Sequence, residues 1–99
     1  MNDDALRSLI QDVDDYLDAG HVGLYEFLWI LNGEKVPGSR EEHLQIAQKA
    51  LEHLVENKRG RLISVMWAQP GTEKDLDRDV RPEDFNDPQD GPYVAITRD

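Results

Sequence analysis

The apolar positions of this chain fall into three helical stripes followed by two short alternating runs. Leu6, Leu9, Ile10, Val13, Tyr16 and Leu17 recur every three or four residues, which predicts a first helix over about 3–19, capped by Asp3 or Asp4 and closed at Gly20. His21 and Val22 leave room for a brief extended segment. Leu24, Phe27, Leu28 and Leu31 then line one face of a second helix over about 23–32, ended by Asn32-Gly33. Tyr25, Trp29 and Ile30 make its opposite side apolar as well, so this helix is expected to be sandwiched and the most buried.

A third and longest helix, over about 40–59, carries its own start and stop. Ser39 and Glu42 make the S-x-x-E pattern of a capping box, in which the serine oxygen takes one orphan N–H and the glutamate another. Leu44, Ala47, Ala50, Leu51, Leu54 and Val55 give one apolar stripe. Lys58 and Arg59 suit the negative end of the helix dipole, and Gly60 is expected to take the left-handed conformation that ends helices.

The run over about 62–68 is too short for a helix and rich in β-branched and aromatic residues, with Ile63, Val65 and Trp67 on one face. A second strand over about 93–98 places Val94 and Ile96 on one face. The expected fold class is therefore α+β: three helices followed by a C-terminal antiparallel β-hairpin, in one domain. One core is expected to gather Leu9, Val13, Leu24, Phe27, Leu28, Leu31, Leu44, Leu51, Leu54, Ile63, Val65, Val94 and Ile96. Between the strands lies a long acidic loop, 69–92, with turn starts at Thr72 and Pro82. Its length and polarity predict mobility, with Leu76 or Phe85 as anchors.

Charge narrows the function classes. With 21 acidic against 11 basic residues the net charge is -10, which suits a basic surface and disfavours a phosphate backbone. The chain has no cysteine, so disulfides, thiol nucleophiles and thiolate zinc sites are excluded. No apolar run is long enough to span a membrane and the first residues are acidic, so the expected location is the cytoplasm.

The order helix, short extended segment, helix, long helix, strand, connection, strand resembles a winged helix-turn-helix. The resemblance is carried most by Ala50-Leu51-Glu52-His53-Leu54-Val55 leading through Gly60 into Leu62-Ile63-Ser64-Val65, and by the ending Tyr93-Val94-Ala95-Ile96-Thr97. It implies a winged-helix-like fold in which the third helix would read DNA and the acidic connection would be the wing. Residues 40–58 set Glu41, Glu42, Glu52 and Glu56 against Arg40, Lys49 and Lys58, and 69–92 hold eight acidic against three basic residues. Both segments would repel phosphate, so a DNA-binding transcriptional regulator is the alternative reading, not the first.

Asp12, Asp14, Asp15 and Asp18 crowd the last turns of the first helix, where the dipole favours cations and Asp14 and Asp18 stack like charges. A solvated acidic face explains such a cluster as well as a binding site does. Asp75-x-Asp77-x-Asp79 resembles the start of an EF-hand loop, but Val80 stands where its glycine belongs and Asn86 where its glutamate belongs, so no metal is expected. His21, His43 and His53 have no metal-ligand spacing, Ser39 is explained by capping, and Ser64 has no nucleophile-elbow sequence around it. No carboxylate pair sits in an apolar setting, so neither an enzyme nor a cofactor is expected.

In size, acidity and absence of catalytic groups the chain is similar to small bacterial immunity proteins, which inactivate a cognate toxin. That resemblance implies a protein-binding module for a basic toxin partner, such as a nuclease, with no nucleic acid and no membrane as partner. The expected contacts are Asp12, Asp14, Asp15 and Asp18, joined by Asp75, Asp77, Asp79, Glu83 and Asp84, with Tyr25, Phe85 or Tyr93 as an exposed aromatic anchor.

Overall fold

A computed structural model describes residues 3–66, 73–88 and 92–98. Its elements are α1 (Asp3–Leu17), β1 (Val22–Gly23), α2 (Leu24–Gly33), α3 (Arg40–Glu56), β2 (Arg61–Met66), β3 (Lys74–Asp75), a 3-10 turn (Pro82–Phe85) and β4 (Pro92–Thr97). The class is α+β, with three helices against one antiparallel sheet among the described residues. The strands do not form a simple C-terminal hairpin. Their order is β1-β4-β2-β3, because β1 adds to the free edge of β4 and β3, from inside the expected loop, adds to β2. Both additions are two residues long, too short to leave an alternating pattern in sequence.

The six paired residues of β2 and β4 put Leu62 opposite Ile96 and Ser64 opposite Val94. Since neighbouring residues of a strand face opposite ways, one face of the sheet supplies Leu62, Val94 and Ile96 to the helical core and the other buries Ile63, Val65 and Ala95 with Tyr93. The expected single core is thus two clusters separated by the sheet. The end of the first expected strand, Trp67 and Ala68, and the expected cap Thr72 lie outside the described residues.

The α3 capping box forms as its sequence dictates: Glu42 N–H donates to Ser39 Oγ at 3.2 Å, and Ser39 N–H donates to Glu42 Oε1 at 3.1 Å. The stripe that faces inward is His43, Ile46, Ala47, Ala50, Leu51 and Leu54, turned from the expected one so that Val55 reaches the surface. Buried His43 is satisfied by donating from Nε2 to the Val36 carbonyl at 2.8 Å. α2 is less enclosed than expected: Leu24, Tyr25, Phe27, Leu28 and Leu31 are buried, but Trp29 is 53% exposed.

Helix ends also differ from the expected glycines. Lys35 and Lys58, both at φ 56, take the left-handed position after α2 and α3. Around them Val36 N–H donates to Leu31 O and Lys35 N–H to Asn32 O, and after α3 Arg59 N–H donates to Leu54 O and Lys58 N–H to Val55 O, the paired bonds of a Schellman ending. Gly60 serves space instead: a Cβ there would sit 2.7 Å from Ile96 Cγ1 and 3.0 Å from the Thr97 carbonyl oxygen.

The connection between β2 and β4 is anchored. Phe85 is 0% exposed and meets Phe27 edge to face, with ring centroids 6.0 Å apart, while Leu76 and Val80 pack partly buried against the same core.

Candidate functional site

The acidic end of α1 finds its counter-charge within the chain. Arg59, just past α3, donates from Nε to Asp14 Oδ1 at 3.0 Å and from Nη2 to Asp14 Oδ2 at 2.7 Å. Arg98, just past β4, donates to the Asp14 carboxylate, to its backbone carbonyl and to Asp18. The Arg59 guanidinium beside Asp14 holds that carboxyl below its usual value, despite the opposing effect of burial. Arg59 before β2 and Arg98 after β4 come from the same end of the sheet, where Arg61 pairs with Thr97, and together they offset the unfavourable charge at the α1 terminus. Asp15 accepts from Gln11 Nε2 at 2.9 Å. Asp12 lies in hydrogen-bonding reach of Glu34 and pushes that carboxyl above its ordinary value, while Ser8 Oγ donates to Glu34 Oε1 at 3.4 Å.

The carboxylates of the connection divide in the same way. Asp84 is committed internally: Arg78 grips it through two bonds of 2.8 Å and the Arg81 N–H adds a third at 2.7 Å, so it caps the 3-10 turn and its carboxyl is held below the usual range, chiefly by Arg78. Asp75, in β3, pairs with Arg61 at the surface. Phe85 is enclosed in the core and offers a partner no surface. Asp77, Asp79 and Glu83 are exposed, and among the described residues Glu83 makes a loose ion pair with exposed Arg81 at 3.6 Å. Among the described residues no three His, Asp or Glu side chains are grouped to hold a metal ion.

Asp77, Glu83 and Asp87 line a groove of about 310 Å³ together with Tyr93 and with Ser64 and Val94 of the sheet. Beside it runs an aromatic platform. Tyr25 meets Trp29 at 4.8 Å and 78°, and meets Tyr93 at 5.5 Å and 81°, both edge to face. Tyr93 in turn hydrogen-bonds through its hydroxyl to His21 Nε2 at 3.1 Å. Gly23 makes the platform possible, because a Cβ there would come within 2.4 Å of the Tyr25 ring. Burial pushes the Tyr25 hydroxyl up to about 12 and raises that of Tyr93, so both stay protonated donors. The Trp29 indole N–H donates to Asp87 Oδ1 at 2.8 Å, and Arg40 donates to Asn86 Oδ1 at 2.5 Å, fastening the connection onto α2 and α3.

Of the expected aromatic anchors, Tyr25 and Tyr93 belong to this platform, but its open member is Trp29, which the sequence reading placed inside. Its position opposite Leu24, Leu28 and Leu31 was the available signal. Asp87 was missed because it belongs to no motif. Of the α1 acids, Asp14 and Asp18 are engaged by Arg59 and Arg98, and Asp12 and Asp15 are not. Among the described residues no helix is long and apolar enough to cross a membrane. No protein-family model, curated protein or solved structure matches the chain, so the geometry and charge of this surface carry the functional reading.

Proposed function

We propose that the chain is an acidic binding module that neutralises a basic protein partner, in the manner of an immunity protein acting on a bacterial toxin in the cytoplasm. One observation carries the reading: a half-exposed Trp29, fixed by its neighbours, stands beside a groove lined by Asp77, Glu83 and Asp87. Fixed aromatic side chains are the usual high-energy contacts of protein interfaces, and they sit here on a chain of net charge -10. Toxins that cut nucleic acids need basic clefts, and an acidic surface can occupy such a cleft while its field accelerates encounter. Affinity capture followed by stopped-flow mixing tests this. The captured partner is expected to be basic, its activity suppressed by the chain, and its association slowed at least tenfold between low and high salt. An association rate indifferent to salt, or a captured protein whose activity is unchanged, overturns the reading.

A second reading has one observation in its favour. The order α1, β1, α2, α3, β2, β4, with β1 laid against β4, supports a winged-helix arrangement with α3 as recognition helix. Glu41, Glu42, Glu52 and Glu56 on the exposed face of α3 oppose DNA binding, and Arg40 is turned to Asn86. A salt-sensitive, sequence-specific gel shift would make this the leading reading.

A further inference from the structure

We infer that the groove beside Trp29 is a receptor for an arginine side chain of the basic partner, and this rests on the binding-module reading above. Three features select that occupant. The first is charge: Asp77, Glu83 and Asp87 line the groove, and its own guanidinium, Arg78, is committed to Asp84 by two bonds and to the Asp79 carbonyl by a third. Among the described residues Glu83 is held by a 3.6 Å pair whose members are both more than half exposed, a contact that a better-placed cation displaces at little cost. The second is shape. Tyr93, Pro88 and Pro92 line the groove with side chains of few rotatable bonds, and a planar guanidinium stacks on an aromatic ring more readily than an ammonium does.

The third is pre-organisation. Trp29 is 53% exposed yet fixed by the bond to Asp87 and by its edge contact with Tyr25, so covering it costs little side-chain entropy. The same bond orients Asp87 at the groove, which couples the aromatic platform to the carboxylates. An incoming arginine would therefore meet two to three carboxylates and an aromatic wall already in place, with the rest of the partner lying over Trp29.

The probe is acetyl-arginine methylamide, titrated into the full chain and followed by the amide and indole N–H signals in two-dimensional NMR. The lysine analogue and the neutral isostere acetyl-citrulline methylamide serve as comparisons. The expected result is a saturable shift of the Trp29 indole signal and of the amides of Asp87 and Tyr93 with the arginine probe, at least threefold weaker with the lysine probe and absent with citrulline. Asp87→Asn, which keeps the acceptor for Trp29 and removes the charge, should weaken binding at least threefold with the remaining spectrum unmoved. Equal shifts with citrulline, shifts spread over all acidic surfaces, or an indole signal that moves with protein concentration alone because a second copy covers Trp29, would each overturn the inference. If the captured partner binds Asp87→Asn and Trp29→Ala chains as tightly as the parent, the arginine receptor fails and the binding-module reading stands. If the arginine probe binds but no basic protein is inhibited, the receptor stands and that reading fails.

Discussion

Replacing Phe85 by Ala is the sharpest test of how the connection between β2 and β4 is held. Phe85 is 0% exposed, its ring meets Phe27 at 6.0 Å and 76°, and it is the one fully enclosed side chain described in 73–88. Truncation removes its transfer energy and leaves a cavity between α2 and the 3-10 turn, together worth about 3–5 kcal/mol for a buried phenylalanine. The edge-to-face pair with Phe27 is about 0.5–1.5 kcal/mol of that. Small domains are stable by roughly 5–15 kcal/mol, so the variant should retain a folded state with much of its margin gone. Urea unfolding, followed by tryptophan fluorescence and by circular dichroism together, measures it. The expected result is a midpoint lowered in both signals alike with the slope unchanged, because the anchored connection unfolds with the core. A loss below about 1 kcal/mol would refute the packing described, since no buried phenylalanine is that cheap to remove. A normal circular-dichroism midpoint with an early fluorescence change would refute cooperativity, showing that the connection detaches from an intact core.

Lys58→Gly should raise the urea midpoint by the equivalent of about 0.5–1 kcal/mol, since a lysine at φ 56 bears a left-handed strain that glycine lacks; a lowered midpoint would show that the Lys58 side chain matters more than its backbone. Gly60→Ala should lose roughly 1–3 kcal/mol in the same assay, because the added methyl meets Ile96 at 2.7 Å and the Thr97 carbonyl oxygen at 3.0 Å, and only the side chain can move away. Stability should also fall in acid. Asp14 and Asp84 have folded values below the ordinary 3.8, so their contribution is present above that value and is lost as pH falls through the folded one. Thermal melts between pH 7 and pH 2 should therefore steepen below about pH 4, and Asp14→Asn with Asp84→Asn should flatten that limb; an unchanged limb in the double variant would mean the arginine contacts contribute nothing. Glu34, raised by Asp12, acts with the opposite sign: its contribution is present below the ordinary 4.5 and lost as pH rises.

What the sequence made legible was local. The capping box at Ser39 and Glu42 and the stripes of Leu9 and Val13, Phe27 and Leu31, and Leu51 and Leu54 depend on residues within one or two turns of each other, and the structure reproduces them. Strand β3 escaped, and β1 was legible only as room for a brief extended segment at His21 and Val22, because two residues carry no periodicity; their pairing depends on which edges β2 and β4 leave open. Gly60 was readable as special but not in kind: the close approach of Ile96, 36 positions away, decides its use, while the lysine before Arg59 takes the strained conformation.

The candidate site shows the same limit in its electrostatics. Like charges at Asp14 and Asp18 are visible in sequence as a local conflict, and a basic partner follows from them, but the sequence does not say whether that partner is another molecule or another part of the chain. Arg59 and Arg98 lie 45 and 84 positions from Asp14, and the fold brings both to it. That answer moves the binding argument elsewhere. Carboxylates already paired with arginine gain little from a second cation and would first have to give up the contacts they have, whereas among the described residues Asp77 and Asp87 hold no arginine and Asp87 accepts from Trp29 through one oxygen. Position along the chain therefore says where acid is abundant, while the folded contacts say where it is available. One acid that holds no arginine among the described residues, Asp87, lies against Trp29, a residue whose helical phase put it opposite the buried stripe and whose exposure only the packing of α2 could decide.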